Sequence, residues 1–398
     1  MGPINESNRK KGAILAFILI PISGLATDVY LPSFPDMAAA FQVSPTQIQQ
    51  TLALFLVSYG IGQFFAGTVV DSFGRYRSSL VALAIFALSA FVIVATRNIY
   101  VVYAIRVLQG ICTAFIMVAK RAYFVDVYTG EKQKQYTSML TIVWAVAPIS
   151  APFIGGYLQV HFGWKANFYL LGSYAAIMCV LEWLFSGETL RKSQPFRMRP
   201  IFQVYRKLIG SVDFTSGIFV LGLLYTIVMT FNMSIPFIVE EKYHLSAVIT
   251  GYCALLSGVA MFFGGMIGKA LNMDNLSQKV LIGNAIQVIS ILAFMLVSAF
   301  NPGIFLLMFF VILIHLIGGA IFNLFFTYCL TRFPQYAGTA GGVTSGGMYL
   351  VTSMVVASLL SVITVTSPYT LALCYLLLAV LVSGILLAAR KKYMLEVE

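Results

Sequence analysis

Two side chains in this sequence sit where charge is expensive. Asp28 stands in Asp28-Val29-Tyr30-Leu31-Pro32, about two thirds of the way along the first apolar run, and Arg106 opens Arg106-Val107-Leu108-Gln109-Gly110 inside another. A charge within a hydrocarbon-spanning helix costs several kcal/mol unless it is paired, hydrated or, for an acid, protonated. The chemistry such an acid offers is reversible proton binding. A guanidinium stays charged throughout and needs a partner. Two readings of Asp28 stand side by side: a proton-carrying carboxylate, or a helix-end acid that meets outside water. Asp28 and Arg106 both fall in the outer halves of their segments, so contact between them is geometrically open. An opposite charge nearby favours the carboxylate and desolvation favours the acid. A change of access from one side to the other alters that balance, which is a route to coupling.

Other charged positions are weaker signals. Lys120 and Arg121 lie at the inner end of the segment that holds Arg106, with Asp126 beyond them. At 1.5 Å per residue, Arg121 is about 22 Å from Arg106. The three form either a cytoplasmic charge cluster with an anion-binding or gating role, or a set of interfacial, snorkelling side chains. Glu182, near the inner end of the sixth segment, reads as interfacial, and Asp36, after Pro35, as solvated in an outer loop. His315 lies inside an apolar run and is either a proton relay or a neutral, hydrogen-bonded core residue. Tyr30, Tyr59, Gln109, Arg121, Tyr225, Phe231, Asn232, Phe237, His315, Phe322, Asn323 and Tyr349 are the candidates for lining a substrate cavity of apolar and a few polar groups. The sequence has no phosphate-binding loop, no His/Cys spacing for a metal and no nucleophile with a base. No catalytic residue, no metal and no cofactor is therefore expected.

The elements that must hold these residues are membrane helices. The chain has 398 residues, 60% hydrophobic and 10% charged, with mean hydropathy +0.89. A soluble domain of this length needs far more polar surface, so an all-α multi-pass membrane protein is the reading. Twelve apolar segments run near 13–34, 47–70, 79–96, 99–123, 137–158, 166–186, 213–238, 247–270, 279–299, 303–330, 339–364 and 370–389. Each is close to or above the ~20 residues that cross about 30 Å of hydrocarbon. The start is polar and basic with no small-residue cleavage site, so the first segment is expected to be retained. The net charge of +11 is spread over short loops rather than gathered in one patch, which argues against nucleic acid.

Those basic residues set the orientation. With Met1 inside, Arg9, Lys10, Lys11, Arg75, Arg77, Lys132, Lys134, Arg191, Lys192, Arg197, Arg199, Arg206, Lys207, Lys269, Lys279, Arg332, Arg390, Lys391 and Lys392 face the cytoplasm. Only Arg97, Lys165 and Lys242 face outward. Both termini are thus expected inside. The longest polar stretch divides six segments from six, giving an N-terminal half at 1–186, a cytoplasmic linker at 187–212 and a C-terminal half at 213–398. Five cysteines, Cys112, Cys179, Cys253, Cys329 and Cys374, lie in or beside apolar segments and read as small buried hydrophobes.

Two motifs punctuate the first half. Gly67-Thr68-Val69-Val70-Asp71-Ser72-Phe73-Gly74-Arg75-Tyr76-Arg77 is a charged hinge between the second and third segments. Gly67 is expected to allow close helix approach, Asp71 to close its helix, and Gly74 to make the turn. Arg75 and Arg77 are expected within reach of lipid phosphates and the other half. In the fifth segment, Ala147-Pro148-Ile149-Ser150-Ala151-Pro152-Phe153-Ile154-Gly155-Gly156 reads as a bent helix with a flat face of small residues. The equivalent hinge in the second half, Gly268-Lys269-Ala270-Leu271 through Asp274 and Lys279, keeps a glycine and basic residues but not the acid-glycine-arginine core.

These motifs resemble the major facilitator superfamily. Asp-Ser-Phe-Gly-Arg at 71–75 is similar to the bicyclomycin and chloramphenicol resistance branch of its drug:proton antiporters, although Ser72 and Tyr76 stand where the superfamily usually has basic residues. Arg106-x-x-Gln109-Gly110 resembles the fourth-helix motif in which an arginine is linked to proton transfer. Pro148, Pro152, Gly155 and Gly156 match the fifth-helix motif of exporters, with Ala147 and Ala151 in place of its glycine. Glu188-Thr189-Leu190 and Pro334 through Ala340 resemble the same branch. Lys120 replaces an alanine of the family, a departure expected to alter preference for substrate charge. The resemblance implies two six-helix halves in the major facilitator fold and a monomeric exporter in the cell inner membrane, exchanging small, largely apolar, drug-like compounds for protons by alternating access. An exporter of an endogenous metabolite, such as a siderophore or amino acid derivative, is the alternative. A membrane sensor without transport is a third reading, against which Asp28 and Arg106 argue.

Overall fold

Proline and glycine placement decides where the apolar segments break. A computed structural model describes residues 6–190, 198–271, 275–300 and 303–394. Arg191, Lys192, Pro195 and Arg197 of the linker, and Asp274, lie outside the described residues. Every regular element is helical: α1 Glu6–Leu19, α2 Ile22–Asp28, α3 Phe34–Phe41, α4 Pro45–Phe73, α5 Arg75–Ala95, α6 Ile99–Val127, α7 Gly130–Phe162, α8 Lys165–Phe185, α9 Met198–Ile209, α10 Val212–Phe237, α11 Ala247–Ala270, α12 Leu276–Ser298, α13 Ile304–Thr331, α14 Ala337–Val362 and α15 Pro368–Met394. Local signals account for the ends. Ser44 caps α4 through a capping box with Gln47, with Pro45 in the first turn. Asn98 caps α6 by accepting from the Tyr100 N–H at 2.8 Å.

The chain divides into two compact units, Met1–Arg199 and Pro200–Glu398, a division inside the polar segment 187–212. Each carries six long membrane helices or helix runs. Eleven described spans are long and apolar enough to cross a bilayer, and the proline-bent, 33-residue α7 is the remaining long helix. The protein is thus a multi-pass membrane protein. In the first unit α4 packs on α6, α5 on α6 and α8, and α2 on α7; in the second α11 packs on α13, α12 on α15, and α10 on α14 and α15. Large apolar side chains also cover the outside, as at Leu88, Ile289 and Phe305, which suits a lipid surface and no other solvent.

The first membrane segment departs from a single helix over 13–34. It runs from Asn8 to Phe41 as α1, α2, a 3₁₀ turn at Leu31–Ser33 and α3. Pro21 and Pro32 fall at the interruptions, where a missing backbone donor ends a helix, and Pro35 stands in the first turn of α3, where it is tolerated. Asp36 therefore lies on a helix rather than in a loop. It is exposed and accepts from Gln159 Nε2 of α7.

Candidate functional site

The broken first segment ends α2 at Asp28 and buries it completely. Oδ2 lies 2.7 Å from the Thr27 hydroxyl, and Oδ1 has no hydrogen-bond partner. Tyr30, two residues on, is also fully buried. Its hydroxyl is 3.2 Å from Thr51 Oγ1 of α4, and its ring meets Phe34 and Phe168, each at 5.3 Å between centroids.

Arg106 on α6 has no exposed surface. Nη1 donates to Gln109 Oε1 at 2.9 Å and Nη2 to the Ala26 carbonyl at 2.8 Å. The guanidinium carbon lies 4.6 Å from the Tyr30 ring centroid and 4.4 Å from that of Phe55. Cation–π attraction is strongest in desolvated sites like this one, at about 2 kcal/mol. Gln109 is held in turn: its Nε2 donates to Ser89 Oγ of α5 at 3.2 Å. The open possibility of a direct Asp28–Arg106 contact thus resolves to two separate sets of partners. Arg106 reaches the backbone two residues before Asp28, while the carboxyl group bonds Thr27.

The fifth-helix motif lies along this segment on both sides of Asp28. A Cβ on Gly24 would stand 2.6 Å from Pro148 Cδ and 2.8 Å from Ala147 Cβ. A Cβ on Gly155 would stand 1.6 Å from the Val29 carbonyl oxygen, so only glycine permits this approach. Pro148 and Pro152 lie inside α7 and supply no N–H to its ladder, which weakens the helix there. Gly156 and Pro152 are buried. Asn167 of α8 donates to Ser33 Oγ at 2.8 Å.

At the other end of the first unit, Gly74 takes φ +101° between α4 and α5, the conformation expected of the turn. Among the described residues, the partners of Arg75 all lie within its own unit. It pairs with Asp71 at 3.1 Å, donates to the Ala122 carbonyl at 3.0 Å and pairs with Asp126. Glu188 accepts from the backbone N–H groups of Arg75 and Tyr76 at 3.1 and 3.3 Å, and Thr189 donates to Asp126 at 2.9 Å. Arg77 is exposed. Gly67 does not mediate close approach, since a Cβ there would meet nothing within 4 Å.

Lys120 and Glu182 also correct the expectation. Glu182 has no exposed surface, Lys120 is buried rather than snorkelling, and Lys120 donates to Glu182 Oε2 at 2.6 Å. The lysine charge is paired inside the unit, by α8. Asp126 belongs to the Arg75 network instead of a cluster with Lys120. Arg121, half-buried, lies within electrostatic reach of the buried Tyr59.

The second unit gathers some of the cavity candidates. Tyr225 and Tyr349 meet edge to face at 5.8 Å. Phe231 packs edge-on against His315 at 5.5 Å. His315 Nδ1 is 2.7 Å from Ser257 Oγ and Nε2 is 3.2 Å from Tyr375 OH, so of its two readings the hydrogen-bonded core histidine fits. Phe237 and Asn232 are buried, and Asn232 Oδ1 has no partner. Phe322 stacks on Phe326 of its own helix, and Asn323 is half-buried. Among the described residues, this unit pairs Arg332 Nε with Asp213 Oδ2 at 2.6 Å, with Tyr328 OH on the same oxygen at 2.7 Å. It joins the start of α10 to the end of α13, outside the 268–279 segment that corresponds to the first-half hinge. Phe55, Ser89, Thr27 and Glu188 are further members of these sites. Only Glu188 had a sequence signal, its place directly after the sixth segment.

The profile of the Major Facilitator Superfamily matches residues 16–357. Multidrug resistance protein D of Escherichia coli is 25% identical over 376 residues, 93% of each chain. A bicyclomycin resistance protein homolog of Haemophilus influenzae is 31% identical over 196 residues, 48% of this chain and 49% of that one, so this chain spans about half its length. The crystal structure of the nucleoside transporter NupG superposes with a TM-score of 0.75 at 13% identity, over 96% of this chain and 99% of that chain. At that identity the likeness concerns the fold alone.

Proposed function

The chain belongs to the Major Facilitator Superfamily, and within it we propose a secondary transporter that exports small, largely apolar, drug-like compounds in exchange for protons by alternating access. The observation that carries this reading is the Asp28 carboxyl. It is fully buried, bears one oxygen without a partner, and has no cation among its hydrogen-bond partners. A carboxylate so placed is far more costly than the neutral acid. The acid therefore suits the proton-loaded state, and opening to water suits release. Arg106 stays charged close by because its compensation is independent of Asp28: one carbonyl, one amide and two ring faces.

The α7 motif supports antiport rather than mere packing, since Pro148 and Gly155 meet the chain on either side of Asp28. A change at Asp28 is then felt at once by a second helix. The names of the relatives support drug-like cargo, and their bacterial sources support the plasma membrane. The basic-residue asymmetry supports cytoplasmic termini. The proton gradient is the energy source, with no cofactor.

The test is uptake of a panel of antimicrobial compounds into everted membrane vesicles containing the protein, with and without an imposed proton gradient. Uptake of at least one compound that collapses when the gradient is dissipated is expected. Gradient-independent behaviour across the panel, equal to vesicles lacking the protein, sinks the proposal.

A further inference from the structure

We infer that the Thr27 hydroxyl is a positioning group that reads the protonation of Asp28 and transmits it to the backbone of α2 facing α7. The inference rests on the reading of Asp28 as the proton carrier. Thr27 Oγ1 lies 2.7 Å from Asp28 Oδ2, 2.9 Å from the Gly24 carbonyl oxygen and 3.1 Å from that of Ser23. A hydroxyl has one hydrogen and two acceptor lone pairs, and all three neighbours include an acceptor. The Thr27 hydrogen can serve a backbone carbonyl and the Asp28 contact can be a hydrogen bond at the same time only if a second hydrogen comes from elsewhere, and of these three neighbours Asp28 is the one able to supply it.

Two arrangements follow. With the proton on Asp28, the acid donates to Thr27 and Thr27 donates to Gly24 or Ser23. With Asp28 ionised, Thr27 turns its only hydrogen to the carboxylate, and the two carbonyls lose this extra donor. The switch is local, but it falls on a sensitive contact. Gly24 is the residue against which Pro148 packs, its Cβ position 2.6 Å from Pro148 Cδ and 2.8 Å from Pro148 N. Threonine bonds back to a carbonyl one turn earlier bend helices, so gain and loss of this bond changes how α2 presents Gly24 to α7.

The other titratable groups at this segment are accounted for. Helix α6 brings Arg106, which is bonded to Ala26. Helix α4 brings Tyr59, which meets Ser23. Tyr174 of α8 donates to the Ile18 carbonyl, and Tyr30 is bonded to Thr51. Helix α7 contributes Ala147, Pro148 and Gly155 here, none of which titrates. Among these neighbours, only Thr27 contacts the carboxyl group as a hydrogen-bond partner.

The experiment is infrared difference spectroscopy of the full chain reconstituted in liposomes and titrated across neutral pH, which requires no knowledge of the substrate. Wild type is expected to show a carboxylic acid C=O band that disappears as pH rises. Asp28→Asn should remove that band. Thr27→Val keeps the shape of the side chain but withdraws the donor that stabilises the carboxylate more than the acid. Its midpoint should move up by about one pH unit, a tenfold change in proton affinity, and the band should change frequency. Thr27→Ser should restore both. If Asp28→Asn removes the band but Thr27→Val leaves midpoint and frequency unchanged, the Thr27 inference is overturned and the Asp28 reading stands. If the band survives in Asp28→Asn, or wild type shows none, both are overturned.

Discussion

Replacing Gly155 by alanine is the perturbation for which the structure gives the most direct magnitude. The added Cβ would lie 1.6 Å from the Val29 carbonyl oxygen, where ordinary contact begins at 3.4 Å. The shortfall is about 1.8 Å, and it is backbone against Cβ, with no flexible side chain to turn aside. Helix α7 must therefore separate from the segment that carries Asp28. Overpacking of a tight contact costs about 1–3 kcal/mol, and this case belongs at the upper end. At roughly 2–4 °C per kcal/mol for a unit of this size, the melting temperature should fall by about 6–12 °C. Gly67→Ala is the matched control. It is also a motif glycine within a helix, but its Cβ meets nothing within 4 Å. Removing an interior glycine there should gain up to about 1 kcal/mol of helix propensity. The assay is thermal unfolding of the purified protein in one detergent, followed by intrinsic fluorescence. Wild-type melting of Gly155→Ala, or a loss in Gly67→Ala equal to that of Gly155→Ala, would refute the assignment of close approach to α7 and not to the hinge helix.

Two further predictions follow from charge. Lys120→Met strands Glu182 in a fully buried site and should cost about 3–5 kcal/mol, while Lys120→Met/Glu182→Leu should recover most of it; a double variant less stable than the single one in the same melting assay contradicts the buried pair. Gly74→Val forces a β-branched residue into φ +101° and places a Cβ 2.5 Å from Glu188 Oε2, expelling the acid from the Arg75 and Tyr76 N–H groups. It should leave membrane insertion intact but slow transport, and unchanged turnover at matched expression would reduce the loop to a tight turn.

Much of this was legible because it is local. Helix count follows from hydropathy and segment length, the turn at Gly74 from glycine beside an acid and an arginine, and the unusual status of Asp28 and Arg106 from charge in apolar sequence. What escaped is the identity of partners far apart in the chain. Arg106 is held by Tyr30 and Phe55, and aromatic residues are too abundant here for any one to signal that role. Lys120 meets Glu182 across 62 positions, and each alone reads as an interfacial charge. The second unit keeps an acid–arginine pair but draws it from α10 and α13, so a loop-by-loop comparison of the halves misses it. The first segment failed differently: Pro21, Pro32 and Pro35 were in view, but hydropathy averages over a window and does not register the breaks. Gly67 failed because a glycine's sequence context does not say which neighbour, if any, lies against it.

The most direct measurement on the central claim is proton-coupled efflux by Asp28→Asn in proteoliposomes, using a compound identified in the vesicle screen and compared with wild type at several values of internal and external pH. The amide keeps the shape of the acid but neither binds nor releases the exchanged proton. Binding of the compound should persist, counterflow without a gradient should persist, and gradient-driven efflux should vanish at every pH. Normal pH-dependent efflux by Asp28→Asn would contradict the account and move the proton carrier to another residue.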